Sequence, residues 1–390
     1  MISSLVVCGI GRLGLPLALN FERAPGLQVS GYDVNAAYVE ALSARRFISD
    51  EPGVTQMLAA SKLQFSADIA AVLGSELAVV CVRTDSDSSG AYDLGQLWSF
   101  VETLTHALSK SAGHALSKSA GHALRALAIN CNVNPGTSRR IATALSSYGI
   151  EVYFWPEWVK QGSIVEDQQT PPVTVIGSLP GYQYYEEVLA VLTNLDRTGH
   201  APVRSLGLTE AEICKISLNC FLTVKISFAN MVATLLDELG LAPGPVLEAL
   251  GHDPRIGGAF LKPGFGYGGP CLPRDNQAMT AFASQYGISM PLCDAADQVN
   301  LQRHQHLSRQ AVRDFHAEGI EPALDSLSYK PGVPIFTESQ QLRFATQMGS
   351  LGIPVHVSDE LSVERLKTLP EGEGLLIAQR DTTPGKDKKD

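Results

Sequence analysis

The side chain best suited to covalent chemistry in this chain is Cys271, which follows a glycine-rich stretch at residues 260–270. Four of the six residues 264–269 are glycines. Because each glycine loses extra backbone entropy on folding, this stretch predicts a loop whose backbone lies against another group. Arg274 and Asp275 follow closely, and a thiol with charged neighbours is a candidate nucleophile. A loop cysteine without chemistry is the alternative, which the stretch alone leaves open.

A second motif, Gly9-Ile10-Gly11-Arg12-Leu13-Gly14, lies between an apolar run, Ile2–Cys8, and a helical pattern, Leu15–Phe21. A further predicted strand, Gln28–Tyr32, ends at Asp33. In this setting the first glycine permits a tight turn, the second lets the backbone approach a pyrophosphate, and the third lets helix and strand pack. The helix N-terminus attracts phosphates, and the terminal acid accepts from ribose hydroxyls and repels a 2′-phosphate. The motif therefore predicts NAD rather than NADP, and the expected contacts are Gly9, Gly11, Arg12, Leu13, Gly14 and Asp33.

Polar residues follow three of the later predicted strands. The strands expected after the first two are Glu76–Val82, Ala126–Cys131, Val152–Trp155 and Val173–Ile176. Strands that alternate with helical patterns predict an α/β fold with a Rossmann-like doubly wound parallel sheet. Thr84, Asn132 and Glu157 come directly after strand ends, where ligands bind in such sheets. We expect all three to border the nicotinamide.

The rest of the chain predicts two further domains. The segment Pro202–Leu239 has a helical pattern that places Lys215 and Asn219 on one face, since they stand four residues apart. A long helical segment, Ala295–Phe315, is expected to link two domains and to carry a dimer contact. Short strands are predicted at Leu324–Ser328, Val355–Val357 and Leu375–Ala378. The predicted plan is an NAD-binding domain at 1–200, a central helical domain with the cysteine loop at 201–300, a smaller C-terminal α/β domain at 301–380, and a disordered charged tail at 381–390.

Composition limits the class of protein. A chain of 390 residues exceeds what one hydrophobic core usually organises. A formal charge of −10 argues against nucleic acid or an anionic membrane as the main partner. The seven cysteines show no C-x-x-C pair and no zinc spacing, which predicts a reducing compartment and no metal. No apolar run approaches the ~20 residues of a membrane span, and a basic signal-peptide start is missing. We expect a cytoplasmic protein.

Two identical octapeptides, His106–Gly113 and His114–Gly121, follow each other between two predicted strands. Eight residues make about 2.2 helical turns, so the repeat rotates an apolar face instead of continuing it. We interpret the repeat as an insertion at the surface. A metal site built from His106, His114 and His122 is the alternative, but the spacing matches no usual ligand pattern.

Together these motifs resemble the UDP-glucose/GDP-mannose dehydrogenase family across nearly the whole chain. The most specific segments are Arg255-Ile256-Gly257 before Phe260–Cys271, the pair Lys215 and Asn219, and Pro156-Glu157 after a strand. The Arg-Ile-Gly run is more similar to the UDP-glucose branch than to the GDP-mannose branch.

The resemblance implies that a sugar 6-hydroxyl is oxidised to a carboxylate with two NAD⁺ in succession, through a thiohemiacetal and a thioester on Cys271. Lys215 and Asn219 can stabilise oxyanions, while Asp275 and Glu157 can handle protons and water. With Asn132, these are the expected catalytic residues. The resemblance also implies that Arg255 reaches a neighbouring subunit's sugar site in a homodimer. The expected substrate contacts are Arg255, Phe260, Lys262, Gly268 and Lys330.

Three positions depart from the family pattern. Gln161 stands where relatives carry a second glutamate, and Asn132 stands where they carry a threonine. Thr337 replaces an arginine that is a nucleotide-sugar ligand in relatives, so only Lys330 of that pair is kept. A bidentate phosphate donor is thereby lost, which leaves the nucleotide and sugar open.

Three hypotheses follow. The first is an NAD-dependent nucleotide-sugar 6-dehydrogenase for a UDP-hexose, or for a GDP- or other nucleotide sugar. The second is a degraded paralogue that binds NAD or a partner without full turnover. The third, a two-electron dehydrogenase of a small hydroxy acid, leaves Cys271 and its glycine loop unexplained. Taken singly, Lys215 as a solvated charge, Asn219 as a structural amide and Glu157 as a helix cap are also open.

Overall fold

The computed structural model of the chain describes residues 1–112, 121–367, 369 and 375–378. These residues form two compact units, Met1–Ser217 and Leu218–Asp390. Most of the second octapeptide, including His114, and the whole tail at 381–390 lie outside the described residues, so the expectations for those segments stay predictions. The predicted domain bounds also stay predictions.

The first unit contains a sheet of eight strands in the order β3-β2-β1-β4-β5-β6-β7-β8. All neighbours pair in parallel except β6 and β7, which are antiparallel. The strands are β1 Ser4–Cys8, β2 Gln28–Tyr32, β3 Gln64–Ser66, β4 Leu77–Val80, β5 Ala126–Ile129, β6 Glu151–Phe154, β7 Thr174–Ser178 and β8 Val203–Gly207. The expected parallel α/β sheet is confirmed.

Among the described residues of this unit, eight helices connect the strands: α1 Gly14–Phe21, α2 Ala36–Ser43, α3 Val54–Ala60, α4 Ala70–Leu73, α5 Gly95–Ala112, α6 Thr137–Leu145, α7 Ile164–Gln169 and α8 Tyr185–Thr193. The apolar strands β4 and β5 are buried along their whole length, as expected for a sheet covered on both faces. Fully burying one such aliphatic side chain contributes about 1.5–3 kcal/mol.

Two strands were not expected from the sequence. The segment Val203–Gly207 is strand β8, so the prediction that helix begins at Pro202 is wrong for these residues. Its side chains are exposed or half-buried, which leaves no apolar run to mark an edge strand. The short strand β3 is likewise mostly uncovered. Edge strands carry weak sequence signals because only one neighbour holds them.

The helix α9, Leu208–Glu238, begins in the first unit and continues into the second. The second unit continues with α10 Pro243–Gly251, α11 Leu272–Ser284 and α12 Pro291–Glu318, and then with α13 Gln340–Ser350, α14 Glu360–Leu366 and a parallel sheet of β9 Ala323–Leu324, β10 Val355–Val357 and β11 Ile377–Ala378. The predicted long helix over 295–315 is confirmed within α12. The predicted strand at 324–328 is wrong except at Leu324, the second residue of β9, and the serines that follow form side-chain hydrogen bonds.

By length and composition α9 could cross a membrane, which the sequence pattern did not indicate. Polar residues interrupt its apolar run, and those on its buried face form hydrogen bonds with other parts of the protein. Asn219 contacts Asp275, and Ser227 donates to a backbone carbonyl. A buried face of hydrogen-bonded polar groups is typical of a helix packed in a protein core.

Candidate active site

The glycine motif of the first unit has the geometry expected of a dinucleotide loop. Gly9 has φ of +83°, and a Cβ there would lie 2.9 Å from the Cys81 carbonyl oxygen, so the turn after β1 requires glycine. A Cβ on Gly14 would overlap the Gly9 carbonyl oxygen where α1 packs on the strand. Gly11 has no atom near its Cβ position, which leaves its backbone open to a ligand. These residues fit a pyrophosphate at the start of α1.

Asp33 follows the end of β2, where a dinucleotide ribose is bound in this type of sheet. Its Oδ1 accepts from the backbone N–H of Asn35 at 3.0 Å, and Asn35 in turn caps α2. The carboxylate is therefore held at the strand end. Its position fits the expected contact with ribose hydroxyls.

Arg12 within the motif reaches two side chains of the first unit. Its Nη1 donates to Gln161 Oε1 at 3.2 Å, and its Nη2 lies 3.5 Å from Asp50 Oδ2. The departure at Gln161 therefore lies beside the dinucleotide loop. Since the guanidinium is partly exposed, it can also turn toward a phosphate.

Thr84 and Asn132 lie in the loops after β4 and β5, as predicted. Thr84 is buried, and Asn132 is half-buried. The loop after Asn132 is held by the buried Glu212 of α9, which accepts from the N–H groups of Gly136 at 2.5 Å and Ser138 at 2.7 Å. This carboxylate caps the start of α6 from another element.

Glu157 follows β6 and is enclosed by neighbouring side chains. Gln168 of α7 donates from Nε2 to both of its carboxylate oxygens, at 3.0 and 3.2 Å. Burial raises the pKa of Glu157 to about 7, while the Gln168 hydrogen bond and the Lys215 charge act in the opposite direction. The interpretation of Glu157 as a helix cap is wrong, because the carboxylate binds a side chain and Glu51 binds the backbone before α7.

Lys215 lies on α9 and points to the same loop. Its Nζ donates to the Glu157 carbonyl oxygen at 2.7 Å and lies 4.9 Å from the centre of the Trp158 ring. A hydrogen bond to a carbonyl oxygen and a nearby aromatic ring are both contacts that a lysine ammonium makes in protein interiors. Lys215 is therefore not a solvated surface charge, and the structure brings it together with Glu157.

In the second unit, Cys271 is exposed and directly precedes α11. One turn later Asp275 is completely buried. Its Oδ2 accepts from Asn219 Nδ2 at 2.6 Å and its Oδ1 accepts from Arg274 Nε at 3.0 Å. The structure thus joins Asn219 to the carboxylate that follows the cysteine, and Asn219 has a polar partner rather than a packing role alone.

The glycine loop before Cys271 lies against protein groups on two sides. A Cβ on Gly266 would overlap Asn300 Oδ1, and one on Gly268 would overlap the Glu338 carbonyl oxygen. Gly269 has φ of +80°, and its Cβ would lie 2.6 Å from the Tyr329 ring. The prediction that this backbone lies against another group is confirmed, and the groups belong to the chain itself.

The other predicted substrate contacts lie in the second unit. Arg255 pairs with Asp253 at 2.6 Å and its side chain is 87% exposed. Phe260 and Lys262 are exposed, and Phe260 has a φ of +60°. Lys330 is half-buried and Thr337 is exposed. Their expected contacts with the substrate stay predictions.

Within the described ranges no group of three or more His, Cys, Asp or Glu side chains could hold a metal ion. None of the seven cysteines forms a disulfide; four are buried, two are half-buried, and Cys271 is exposed. The cysteine predicted to be a nucleophile, Cys271, is therefore the one whose side chain is accessible to a reactant.

Two models of one family match the chain. The NAD binding domain of the UDP-glucose/GDP-mannose dehydrogenase family matches residues 3–190, and the central domain of that family matches residues 209–302. The chain belongs to the UDP-glucose/GDP-mannose dehydrogenase family. It is an NAD-dependent dehydrogenase, and the predicted family and cofactor are confirmed.

Known members of this family resemble the chain over most of its length. A UDP-glucose 6-dehydrogenase of Haloferax volcanii is 28% identical over 371 residues, 93% of this chain and 84% of that protein. A UDP-glucose 6-dehydrogenase of Pseudomonas aeruginosa is 29% identical over 374 residues, 92% of this chain and 79% of its own length. The solved structure of a UDP-glucose dehydrogenase from Pyrobaculum islandicum has a TM-score of 0.79 at 28% identity and covers 97% of this chain and 87% of that one.

Several residues of this dehydrogenase contact the candidate catalytic groups and were not predicted. Gln168 and Trp158 surround Glu157 and Lys215, Arg274 pairs with Asp275, and Asn300 binds the glycine loop. The sequence marked Arg274 only as a charged neighbour of Cys271, and Trp158 adjoins Glu157 in sequence, which is the one signal that could have found it. Gln168 lies on the next helix, eleven residues after Glu157, and Asn300 lies on α12; neither belongs to a motif.

Proposed function

We propose that this dehydrogenase oxidises the 6-hydroxyl of a UDP-hexose similar to UDP-glucose to a carboxylate. The observation that carries the proposal is the position of Cys271, an exposed thiol at the start of α11, one turn before a buried Asp275 that Asn219 and Arg274 hold in place. A small hydroxy-acid dehydrogenase would need neither this thiol nor its glycine loop.

The proposed reaction balances as one primary alcohol, two NAD⁺ and one water giving one carboxylate, two NADH and three protons. When bound, NAD accepts a hydride in each of the two oxidations. Cys271 adds as thiolate to the aldehyde carbon, so a C–S bond forms and the carbonyl oxygen takes a proton. Oxidation of this thiohemiacetal leaves a thioester. Water then adds to the thioester carbon, the C–S bond breaks, and the thiolate is restored.

The polar groups of each unit can serve these steps. The Lys215 ammonium and the Asn219 amide offer donors to an oxyanion at the reacting carbon. Glu157, with a pKa raised to about 7, is suited to remove a proton from the hydrolytic water near neutral pH. Asp275 orients Asn219 and can assist proton transfer. Covalent attachment would keep the aldehyde from escaping between the two oxidations.

UDP-glucose is the first substrate to test, because several relatives are UDP-glucose 6-dehydrogenases. Thr337 and the apolar Pro334–Phe336 replace a polar family segment, so a GDP- or other nucleotide sugar is the second choice. The same departures, with Gln161 and Asn132, favour a paralogue without full turnover as the alternative function.

We also propose a homodimer formed through an apolar face of α9. This face consists of Leu218, Phe221, Phe228, Met231 and Leu235. Phe221, Phe228 and Leu235 recur every seven residues and are 64%, 46% and 62% exposed. A seven-residue apolar repeat is the pattern with which two copies of a helix pack, and a two-fold dimer pairs one such face with itself.

Arg255 supports the same dimer. Lys225, which lies between Phe221 and Phe228 on α9, donates from Nζ to the carbonyl oxygens of Ile256 and Gly257, both at 2.9 Å. The Arg255 loop is thereby fixed beside the apolar face of α9. A partner copy on that face would come within reach of Arg255.

A cytoplasmic location is proposed from the seven thiols, none of which is in a disulfide.

The test is NADH formation from NAD⁺ with a panel of UDP-, GDP- and dTDP-sugars. We expect two NADH per sugar with at least one UDP-hexose. Cys271→Ser should abolish full oxidation, whereas Cys214→Ser, at a half-buried cysteine on α9, should retain it. Calorimetric NAD binding without NADH formation from any sugar would favour the inactive paralogue and would contradict the proposal.

A further inference from the structure

Side chains on one face of α12 form hydrogen bonds with the glycine loop that precedes Cys271. Asn300 is largely buried and binds both peptide groups of Tyr267: its Oδ1 accepts from the Tyr267 N–H at 2.9 Å, and its Nδ2 donates to the Tyr267 carbonyl oxygen at 2.9 Å. A single side chain thus pairs with this loop residue as a neighbouring strand would. Tyr267 stands four residues before the thiol.

The same helix face holds the loop at a second point. Arg303, one turn after Asn300, donates from Nε to the Gly264 carbonyl oxygen at 3.0 Å. Its Nη1 is fixed by Asp237 of α9 at 2.6 Å. The N–H of Gly264 donates to Asn230 Oδ1, also on α9, at 2.9 Å. Hydrogen bonds therefore hold the start of the loop against both α9 and α12.

The same face of α12 makes a third contact with the glycine loop. Asp297, one turn before Asn300, accepts a hydrogen bond from the Tyr267 hydroxyl. Tyr267 is buried, and Gly266 has no room for a Cβ beside Asn300. Asp297, Asn300 and Arg303 stand three residues apart, so they share one side of α12. Each of them contacts the loop.

We propose that Asn300 and Arg303 are positioning residues for Cys271: they set the loop in its final shape before any substrate binds. The proposal rests on the proposed function of Cys271 as nucleophile. Without Asn300, a buried N–H and a buried carbonyl of Tyr267 lose their partners, and the loop must shift to satisfy them. A shift of about 1 Å at a reacting atom can cost about 100-fold in rate.

The loop also places Cys271 at the N-terminal end of α11. The amide groups at a helix N-terminus carry a partial positive charge that favours an anion there. A loosened loop would weaken this effect on the thiolate. Cys271 should then react more slowly with iodoacetamide at pH 7, although it would be no less exposed.

The experiment compares Asn300→Ala, Asn300→Asp and Arg303→Lys with the full-length wild-type protein, each in the oligomeric state in which it is purified. Ser308→Ala is the matched control, because Ser308 is a buried polar residue of α12 that binds Gln347 at 2.9 Å and not the loop. The readouts are kcat, KM for the sugar, Kd for NAD, and the alkylation rate of Cys271 followed by mass spectrometry.

We expect Asn300→Ala and Arg303→Lys to lower kcat about 10- to 100-fold and to slow Cys271 alkylation at least about threefold. NAD affinity should stay within about twofold, since the dinucleotide loop is unchanged. Asn300→Asp keeps the acceptor for the Tyr267 N–H, so its kcat and alkylation rate should lie between those of Asn300→Ala and wild type. This variant provides the test if Asn300→Ala does not fold.

Alkylation rates equal to those of Ser308→Ala in the folded variants would overturn the positioning role. This readout needs no turnover. If the wild type oxidises no sugar, the proposed function fails while the alkylation comparison still decides the role of α12. If the sugar is oxidised but kcat is unchanged in all three variants, the positioning role alone fails.

Discussion

At the residue scale, the environment of Glu157 determines how the proposed hydrolysis depends on pH. The carboxyl group is enclosed, and its pKa is raised to about 7 chiefly by burial. A general base must be ionised to act, and its efficiency is highest when its pKa lies near the working pH. With a pKa near 7, the proposed base changes its charge close to neutral pH.

We predict that kcat for the full oxidation rises with pH through about 7 and then levels off. Glu157→Gln should remove this rise and lower kcat by about 10²- to 10⁴-fold, the usual contribution of a general base. Glu166→Gln, at an exposed acid of α7, is the control. The dependence of kcat on pH is measured from steady-state rates between about pH 5.5 and 8.5, in steps of about half a unit. An unchanged profile in Glu157→Gln would refute the role.

The same pKa shift predicts an effect on stability. The folded-state pKa of Glu157 lies above the ordinary value of 4.5, so the unfolded chain releases this proton first. Folding is therefore penalised increasingly as pH rises from about 4.5 to about 7. Glu157→Gln should raise Tm at pH 8 and change it little at pH 5. Calorimetry at the two pH values tests the sign, and a gain confined to pH 5 would contradict it.

The sequence identified Glu157, Lys215, Asn219 and Asp275 by type and position, but it could not give their pairings. That Lys215 donates to the Glu157 carbonyl, and Asn219 to Asp275, depends on contacts between residues more than fifty positions apart. A spacing pattern indicates which residues share one helix face. It contains no information on what another element presents to that face.

At the element scale, the buried Glu212 joins α9 to the loop that carries Asn132. Its carboxylate accepts from two backbone N–H groups at the start of α6, and the side chain is completely buried. Burial raises the pKa of Glu212, while these hydrogen bonds and the charge of Arg139 act in the opposite direction. The helix α6 thus has its cap supplied from a distant part of the chain.

We predict that Glu212→Ala lowers the free energy of unfolding by about 2–4 kcal/mol, because it leaves two N–H groups without an acceptor. Glu212→Gln keeps one acceptor oxygen and should cost about half as much. The control is Glu102→Ala at an exposed position of α5, with little effect expected. Urea denaturation gives these values. Equal losses for Glu212→Ala and Glu102→Ala would show that the cap is unimportant.

The strand and helix pattern of the first unit was largely predictable, since buried parallel strands are apolar along their whole length and G-x-G-x-x-G between a strand and a helix marks the turn after β1. Strand β8 was not, because its residues are exposed or half-buried at the sheet edge. The glycine loop was predictable as a loop. Its partners on α12 were not, because Asn300 follows Tyr267 by 33 residues and belongs to another helix.

At the scale of the whole molecule, the apolar face of α9 is the feature that supports the proposed dimer. Exposed Phe221, Phe228, Met231 and Leu235 line one helix. Contiguous exposed apolar residues of this kind mark interaction surfaces. The sequence predicted a dimer contact on the long helix at 295–315, and that contact stays a prediction beside the one proposed on α9.

We predict that Phe228→Glu converts a dimer into a monomer, because a carboxylate in an apolar interface loses its hydration. NAD should still bind, and sugar oxidation should fall if Arg255 acts on the partner. Leu361→Glu, at a leucine of α14 that is 76% exposed, is the control and should leave the mass unchanged. Light scattering after size exclusion measures the mass. A wild-type monomer, or a Phe228→Glu dimer, would rule out this interface.

The close packing of the glycine loop has a consequence for how freely this segment can vary in evolution. Gly266, Gly268 and Gly269 each lack space for even a methyl group, whereas Gly264 has no neighbour near that position. In a library covering every substitution, three of these sites should accept nothing but glycine and the fourth should accept alanine. Selection on this stretch would then preserve the fit between the chain's own parts, so its glycines can stay fixed while preference for one sugar or another drifts.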